Sequence, residues 1–208
     1  MSARDDILAG IRVRRQSASA ASGRARTQGG PPAATVPPRY RAPFATGDLV
    51  ASFAAKAQAA NTEIRLLDSE ADVSEAVADL LRAYNRAARV HLAPESGIEL
   101  PLEIATTPPG PDDTAVTRVS AAIAETGTLV QLARAGAPAS WHFRPGFEIA
   151  ILDARDIVAT LEDVRLSPLP PTVNLITGPS RTGDIEQTLE LGAHGPKALA
   201  ILIVRGRT

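Results

Sequence analysis

The chain has 208 residues, of which 44% are hydrophobic and 22% charged, with 22 basic and 23 acidic side chains. This composition is typical of a soluble globular protein with one domain and an extension. Cysteine is absent, which excludes disulfides, thiolate nucleophiles, cysteine-ligated zinc and iron–sulfur clusters held by this chain. The longest apolar run, residues 198–204, is far shorter than the roughly 20 residues that a membrane-spanning helix needs.

The beginning of the chain differs in charge from the rest. Residues 1–45 hold eight arginines and two aspartates, a net charge of +6, whereas the remainder carries −7. The pattern predicts a short amphipathic helix near the start and then a linker over residues 16–38, which are rich in Ser, Ala, Gly, Arg and Pro. We therefore expect an extension over residues 1–39 and a domain over residues 40–208. No secretory signal is visible, so the expected location is the cytoplasm.

After the linker, the pattern predicts helices and strands in alternation. Thr46 is expected to cap a helix that ends near Asn61, and residues 62–67 to form a strand. The clearest helix begins at Asp72, because the apolar positions after it keep the spacing of one buried stripe. Residues 89–92 are the next predicted strand, and this strand–helix–strand order is typical of a crossover in a parallel sheet.

The second half of the chain is richer in strands. Residues 153–164 are expected to form a helix between them. The last predicted strand is apolar throughout, which is typical of a strand covered on both faces. The fold predicted from this succession is α/β, a three-layer α/β/α sandwich with a mostly parallel sheet. The predicted strands, each bounded by Gly, Pro or Asp, are residues 116–124, 128–132, 148–152, 172–176 and 198–204.

The first of two polar loops with candidate site residues reads Glu125, Thr126, Gly127, Thr128. A glycine turn between two strands can place a carboxylate at a sheet edge with hydroxyl donors beside it. Glu125 is therefore a candidate catalytic residue, and Thr126 and Thr128 are candidate ligand contacts. The alternative is that Gly127 only makes a turn and Glu125 is solvated.

The second polar loop, residues 178–186, directly follows the predicted strand 172–176. In open α/β sheets, ligands collect beyond the carboxyl ends of strands, where loop amides point outward. Ser180, Arg181 and Thr182 are therefore expected to bind a phosphate or a carboxylate. The loop is not a P-loop, because the Gly-Lys-Ser/Thr ending is missing. Two acidic residues complete the candidate ligand contacts, Asp184 and Glu186; alternatively, one of them or Glu125 is the structural ion-pair partner of the arginine.

The three histidines are scattered and do not have the spacing of metal ligands, so no metal site is expected. His194 lies in a glycine-flanked turn and is the second candidate catalytic residue; the alternative is a turn histidine bonded to backbone. His91 is expected to be structural. A nucleophile elbow around Ser180 is missing, so a hydrolase triad is unsupported.

Residues 123–129, residues 178–186 and the His194-Gly195-Pro196 segment together resemble, in this order, the lactate utilization protein C family, whose domain is called LUD. The resemblance runs over about residues 40–204. It implies a fold similar to the coenzyme A transferases and sugar-phosphate isomerases. It also implies a role beside two iron–sulfur proteins, lactate utilization proteins A and B, in oxidising L-lactate to pyruvate. The missing cysteines fit this role, because the redox centres would belong to the partners.

One position departs from the family pattern. Many relatives carry a histidine in the strand entered by a Leu-Pro-type loop, whereas this chain has Glu148 there. The change replaces a group that titrates near neutrality with one that is normally anionic. Any family mechanism that needs this histidine is put in question.

The sequence is compatible with three functions. The favoured one is a subunit of an L-lactate-oxidising complex, not a redox enzyme by itself, in which the Arg181 loop binds a small anion such as the lactate or pyruvate carboxylate. The second is a free-standing transferase-like enzyme with Glu125 as nucleophile or base and a phosphorylated cofactor such as coenzyme A. The third is a noncatalytic adaptor whose basic extension docks on an acidic partner. A nucleic acid partner is not expected, because the arginines of the extension are dispersed and almost without interleaved aromatics.

Overall fold

The structure is a computed structural model that describes most of the chain after residue 46. It covers the backbone alone for residues 182–183 and 189–191. The predicted amino-terminal helix and linker lie outside the described residues, so the division at residue 39 stays a prediction. No helix in the described part of the chain is long and apolar enough to cross a bilayer. The described ranges are residues 47–94, 96–134, 136–166, 170–183, 189–191 and 195–206.

Three α-helices occur in these ranges: α1 (Leu49–Ala59), α2 (Val73–Ala83) and α3 (Ser140–Phe143). The first two confirm the predicted helices, and the apolar stripe of α2 is buried. Asp48 caps α1, because its carboxylate accepts hydrogen bonds from the amides of Val50 and Ala51 at 2.9 and 3.1 Å. The prediction that Thr46 is the cap is therefore wrong: Asp48 occupies the position from which an oxygen reaches the free amides of the first turn.

Six parallel strands form the central sheet, in the order β1-β12-β7-β4-β2-β3. In chain order, the strands are β1 (Glu63–Ser69), β2 (Arg89–Leu92), β3 (Glu103–Ala105), β4 (Thr114–Arg118), β5 (Ala121–Ile123), β6 (Thr128–Leu132), β7 (Phe147–Asp153), β8 (Ile157–Val158), β9 (Val173–Ile176), β10 (Arg181–Gly183), β11 (Leu189–Leu191) and β12 (Ala198–Gly206). Both strands of the predicted crossover, β1 and β2, belong to this sheet, but three other strands separate them. Every residue of β7 is buried, as are residues 199–204 of β12, so the apolar runs lie at the centre of the sheet.

The two faces of the parallel sheet are covered by different layers. On one face, Val77 and Leu80 of α2 form a core with residues such as Ile149 of β7. On the other face, Phe53 of α1 and residues of a second sheet form a core with residues such as Ile201 of β12. This second sheet is mixed and has the order β8-β5-β6-β9. The fold is therefore α/β, with a six-stranded parallel sheet and a small mixed sheet, and one outer layer is not made of helices alone.

The predicted strand 116–124 is wrong as a single element. It consists of β4 in the parallel sheet and β5 in the mixed sheet. The chain changes sheets between two neighbouring residues, since the Val119 amide donates to the Ile151 carbonyl, whereas the Ser120 amide donates to the Val130 carbonyl. The Ser120 hydroxyl also accepts a hydrogen bond from the Leu132 amide at 3.2 Å, which ties the transition to β6.

The predicted helix 153–164 is also wrong. The segment contains two short 3-10 turns, Ala154–Asp156 and Leu161–Asp163, with β8 between them. Polar side chains at the start of each turn compete with a continuous helix, because they bond to nearby backbone amides and to each other. The Asp153 carboxylate accepts from the Arg155 amide, and Thr160 and Asp163 form a capping box.

Leu80→Ala should lower the free energy of unfolding by about 2–5 kcal/mol, because truncating a fully buried leucine loses apolar contact and leaves a cavity. Leu66→Ala is the matched control on the edge strand β1, where the leucine is 46% exposed, and should cost less than about 1 kcal/mol. Urea unfolding followed by circular dichroism measures both losses. Equal losses would contradict the packing of α2 on the sheet.

Candidate functional site

The turn that contains Glu125, Thr126 and Gly127 joins β5 to β6 and lies against the end of α1. It closes through the Gly127 amide, which donates to the Ile123 carbonyl at 2.9 Å. Gly127 has a φ of +68°, and a Cβ placed there would lie 2.5 Å from the Ala57 amide nitrogen. Only glycine fits both the left-handed backbone and the close approach to the helix.

The second predicted loop lies against the same helix end. Gly178 has a φ of +73°, and a Cβ there would lie 2.3 Å from the carbonyl oxygen of Ala60, the residue that follows α1. Ala57 and Ala60 are three residues apart and therefore lie on one side of the helix end. The two polar loops, about 50 residues apart in the sequence, thus meet at one place.

A chain of hydroxyl groups joins the two loops directly. The Thr126 hydroxyl donates to the Thr128 hydroxyl at 2.7 Å. The Thr128 hydroxyl, which is buried, lies 2.7 Å from the hydroxyl of Thr177, just before the second loop. Thr128 is therefore a link between the loops, and the prediction that Thr126 and Thr128 contact a ligand stays untested.

The segment before β12 completes this region. The Ser180 amide donates to the Pro196 carbonyl at 2.8 Å, and a Cβ on Gly195 would lie 3.1 Å from the Cβ of Ser180. Three sequence segments of the predicted site therefore converge. His194, the residue before Gly195, lies outside the described residues, and its catalytic role stays a prediction.

The second loop and the segment before β12 line a pocket of about 440 Å³, the motif pocket. Two of the predicted ligand contacts, Ser180 and Arg181, line it, and Thr177 supplies a further hydroxyl. Phe143 of α3 and Leu175 of β9 contribute apolar wall. The remaining lining residues are Ala60, Ile176, Gly178, Pro179, Gly195 and Pro196.

Arg181 is the positive charge of the motif pocket. Its side chain is exposed, and its guanidinium faces Asn61 beside α1, which accepts from Nη1 at 2.9 Å when its amide oxygen points toward the arginine. Within the described ranges, Arg181 forms no ion pair with Glu125 or with any other carboxylate. The structural alternative in which Arg181 pairs with Asp184 or Glu186 concerns residues outside those ranges.

Glu125 does not line the motif pocket. The residue is half-buried, and its amide donates to the Ala159 carbonyl at 3.1 Å, which ties the turn to the segment after β8. Its catalytic role therefore stays a prediction. Thr182 takes part in the β10–β11 hairpin through its backbone, opposite Glu190, and nothing is described of its side chain.

The motif pocket is not where the carboxyl-end rule predicts it. The strand before the second loop, β9, lies at the edge of the mixed sheet and runs antiparallel to β6. The loop instead contacts Gly195 and Pro196, which precede β12, so the pocket lies near the amino end of that parallel strand. The predicted position of the loop is wrong, because it assumes that residues 172–176 belong to the parallel sheet. The prediction that the loop binds an anion stays a prediction.

A buried group that the sequence analysis did not assign lies under α3. The Glu148 side chain is fully buried on β7, and its Oε1 lies 2.5 Å from Nδ1 of His142. The Thr117 hydroxyl donates to the same oxygen at 2.8 Å. At this position, where the family resemblance implies a histidine, the carboxylate of Glu148 is contacted by an imidazole from α3. The sequence signal is a single carboxylate inside the apolar run of β7.

No group of three or more His, Cys, Asp or Glu side chains suited to a metal ion occurs in the described ranges. His91 is buried, and its Nδ1 lies 2.8 Å from the Thr107 carbonyl oxygen, so this ring is tied to backbone. The motif pocket itself combines an arginine, hydroxyls and glycine backbone.

The three segments lie in a part of the chain that is similar to known proteins. Residues 112–204 match the LUD domain family. This range, which is less than half of the chain, resembles a LUD domain. The resemblance drawn from the three sequence segments is confirmed over this range, which contains every predicted site residue. Helix α1, against which the two glycine turns pack, lies before it.

The curated relatives share the sequence of this chain over part of their length. Lactate utilization protein C of Geobacillus kaustophilus is 35% identical over 94 residues, which cover 41% of this chain and 39% of that protein. Lactate utilization protein C of Macrococcus caseolyticus is 37% identical over 93 residues, which cover 39% of each chain. The chain therefore spans about two fifths of the length of these relatives.

A solved structure shares the fold. The crystal structure of a DUF162 family protein from Deinococcus radiodurans superposes with a TM-score of 0.57 at 21% sequence identity. The match covers 78% of this chain and 99% of that protein. The likeness supports the α/β architecture of this chain.

Gly127→Ala should lower the free energy of unfolding by more than Gly97→Ala does. Both glycines have a positive φ, +68° and +63°, so both variants gain backbone strain of about 1–2 kcal/mol. Only at position 127 does the new Cβ also collide with α1, since nothing lies within 4 Å of a Cβ at position 97. Thermal and urea unfolding compare the two variants. A smaller loss at position 127 would contradict the contact of the turn with α1.

Proposed function

We propose that this LUD domain acts in lactate utilization and that its motif pocket binds the carboxylate of a small acid such as L-lactate or pyruvate. The names of the relatives from Geobacillus kaustophilus and Macrococcus caseolyticus support the metabolic role. The observation that carries the pocket assignment is Arg181, which lines the pocket and has no carboxylate partner within the described ranges. A guanidinium binds a carboxylate through two parallel hydrogen bonds, so an arginine without a carboxylate partner among the described residues fits this ligand class.

The other groups of the motif pocket suit a small oxygen-rich ligand. Ser180 and Thr177 supply hydroxyls that donate or accept hydrogen bonds. Gly178 and Gly195 carry no side chain, so a ligand can approach their backbone closely. Glu125 is not part of the lining, and therefore reversible binding is favoured over covalent attack by this carboxylate.

The proposal extends to the assembly in which the domain works. A chain without cysteine supplies no thiolate for an iron–sulfur cluster. The electron-transfer groups of lactate oxidation are therefore assigned to partners, the lactate utilization proteins A and B, with this chain as a subunit. A fold of the coenzyme A transferase and sugar-phosphate isomerase group and a cytoplasmic location are parts of the same proposal.

Arg181→Gln should weaken the binding of L-lactate and pyruvate at the motif pocket by about tenfold or more, because a charge-assisted hydrogen bond contributes about 1.5–3 kcal/mol. Arg181→Lys should lose part of the affinity, since an ammonium cannot form the two parallel bonds of a guanidinium. Isothermal titration calorimetry measures both. Arg82→Gln, at an exposed arginine of α2 that pairs with Asp79, is the matched control and should not change the affinity.

Unchanged affinity in Arg181→Gln would contradict the pocket assignment. The assembly is tested separately, by co-purification of the tagged full-length chain with the iron–sulfur proteins from cells grown on L-lactate. Normal growth on L-lactate after deletion of the gene, without association, would contradict the metabolic role. Stabilisation by acyl-coenzyme A and not by the small acids would favour the transferase-like alternative.

A further inference from the structure

A second cavity lies at the carboxyl edge of the parallel sheet. It is an open cleft of about 600 Å³, the carboxyl-edge cleft, formed where β2, β4 and β7 end. Ligands of open α/β folds collect at this edge, because loops of variable sequence meet there. The side chains on which the following steps depend are Ser96, Arg118, Arg134 and Asp156, all of which line the cleft.

A narrow slot adjoins this cleft and shares Ser96, Arg118 and Arg134 with it. The slot offers about 10 Å³ of free space, which is enough for about one water-sized group. His142 and Gln131, both buried, form part of its wall. A ligand bound in the cleft can therefore place one oxygen, and little more, against polar side chains in the slot.

The ring of His142 is oriented toward the slot by the carboxylate behind it. Because Nδ1 of His142 bonds to Glu148, the proton is fixed on Nδ1, and Nε2 is the ring nitrogen that a ligand can reach. Oε2 of Glu148 has no hydrogen-bond partner among the described side chains. A buried carboxylate that is only partly satisfied costs stability, and such arrangements are concentrated at functional sites.

The charged side chains at the mouth of the slot differ in whether they already have a partner within the chain. Arg118 forms an ion pair with Glu70, and Asp156 is engaged in an interaction of its own. Arg134 is exposed and forms no ion pair within the part of the chain that the structure describes. Arg134 is therefore the cation that a ligand entering the cleft meets.

We propose that the carboxyl-edge cleft is a second ligand site, for a small acid with a hydroxyl on the carbon next to its carboxylate, the chemistry of a 2-hydroxy acid. Arg134 binds the carboxylate, and the neighbouring hydroxyl enters the slot and donates a hydrogen bond to Nε2 of His142. Glu148 is a positioning residue that holds the ring. This site shares no lining residue with the motif pocket, and it does not depend on the function proposed for that pocket.

The experiment uses the full chain with Arg181→Gln, so that acid bound at the motif pocket does not contribute. The histidines are labelled with ¹⁵N, and His142→Gln assigns the His142 signals by their loss. L-Lactate, pyruvate, propionate and inorganic phosphate are titrated in turn. L-Lactate should shift the Nε2 signal of His142. Pyruvate, whose oxo group cannot donate a hydrogen bond, and propionate, which lacks the second oxygen, should each bind about tenfold more weakly.

Two variants test the roles of the individual groups. Arg134→Gln should weaken the binding of L-lactate and the binding of propionate alike, by about tenfold. The matched control Arg144→Gln removes an equally exposed charge just after α3, outside both cavities, and should change neither. Glu148→Gln should change the His142 signals from those of one ring tautomer to those of a mixture. It should also weaken the binding of L-lactate. Should Glu148→Gln fail to fold, the exposed Arg134 still decides the outcome.

An Nε2 signal that L-lactate leaves unmoved, or L-lactate affinity unchanged in Arg134→Gln, would overturn the proposal. A response to phosphate alone would also overturn the proposal, since it would indicate a general anion site and not one that recognises the small acid. The assignment of the motif pocket is tested by a different result. It fails if Arg181→Gln alone does not lower the affinity of the chain for L-lactate.

Discussion

Two loops of this protein contact the end of α1 through backbone, at positions where no side chain fits. At Gly127 and Gly178 the chain adopts a left-handed conformation within 3 Å of helix backbone, measured from where a Cβ would stand. With both loops on one helix end, the hydroxyls of Thr128 and Thr177 come within hydrogen-bond distance. A larger residue at either glycine would separate the loops, and at Gly178 it would displace a wall of the motif pocket. The helix that receives the loops precedes the matched LUD range, so the site depends on a segment outside that range.

Apolar periodicity is sufficient to predict much of this fold. The buried stripe of α2 and the apolar run of β12 follow from spacing alone, because each pattern fits one local geometry. The transition at Val119 and Ser120 is not predictable in this way, since the run 116–124 reads as one strand and the change of partner is decided by contacts with β7 and β6. The segment 153–164 is misread for a different reason: its polar residues bond locally to backbone and interrupt the helix that its composition favours.

The candidate site shows the same division. The sequence motifs identify Ser180 and Arg181, because glycine, hydroxyl and guanidinium groups in one loop suit an anion wherever the loop lies. Their position near the amino end of β12 could not be predicted, since it depends on which sheet contains β9. The contact between His142 and Glu148 joins a short helix to a central strand. Only the carboxylate within an apolar strand indicates it in the sequence, because such a residue is rarely buried without a specific partner.

The central claim is that Arg181 offers its charge to a small carboxylate in the motif pocket, which the second loop and the segment before β12 line. The most direct measurement is a crystal structure of the full chain grown with L-lactate or pyruvate. The account predicts the ligand carboxylate in two parallel hydrogen bonds with the Arg181 guanidinium, beside the hydroxyls of Ser180 and Thr177. A guanidinium paired with a carboxylate of the chain itself, with the pocket unoccupied by the acid, would contradict the account.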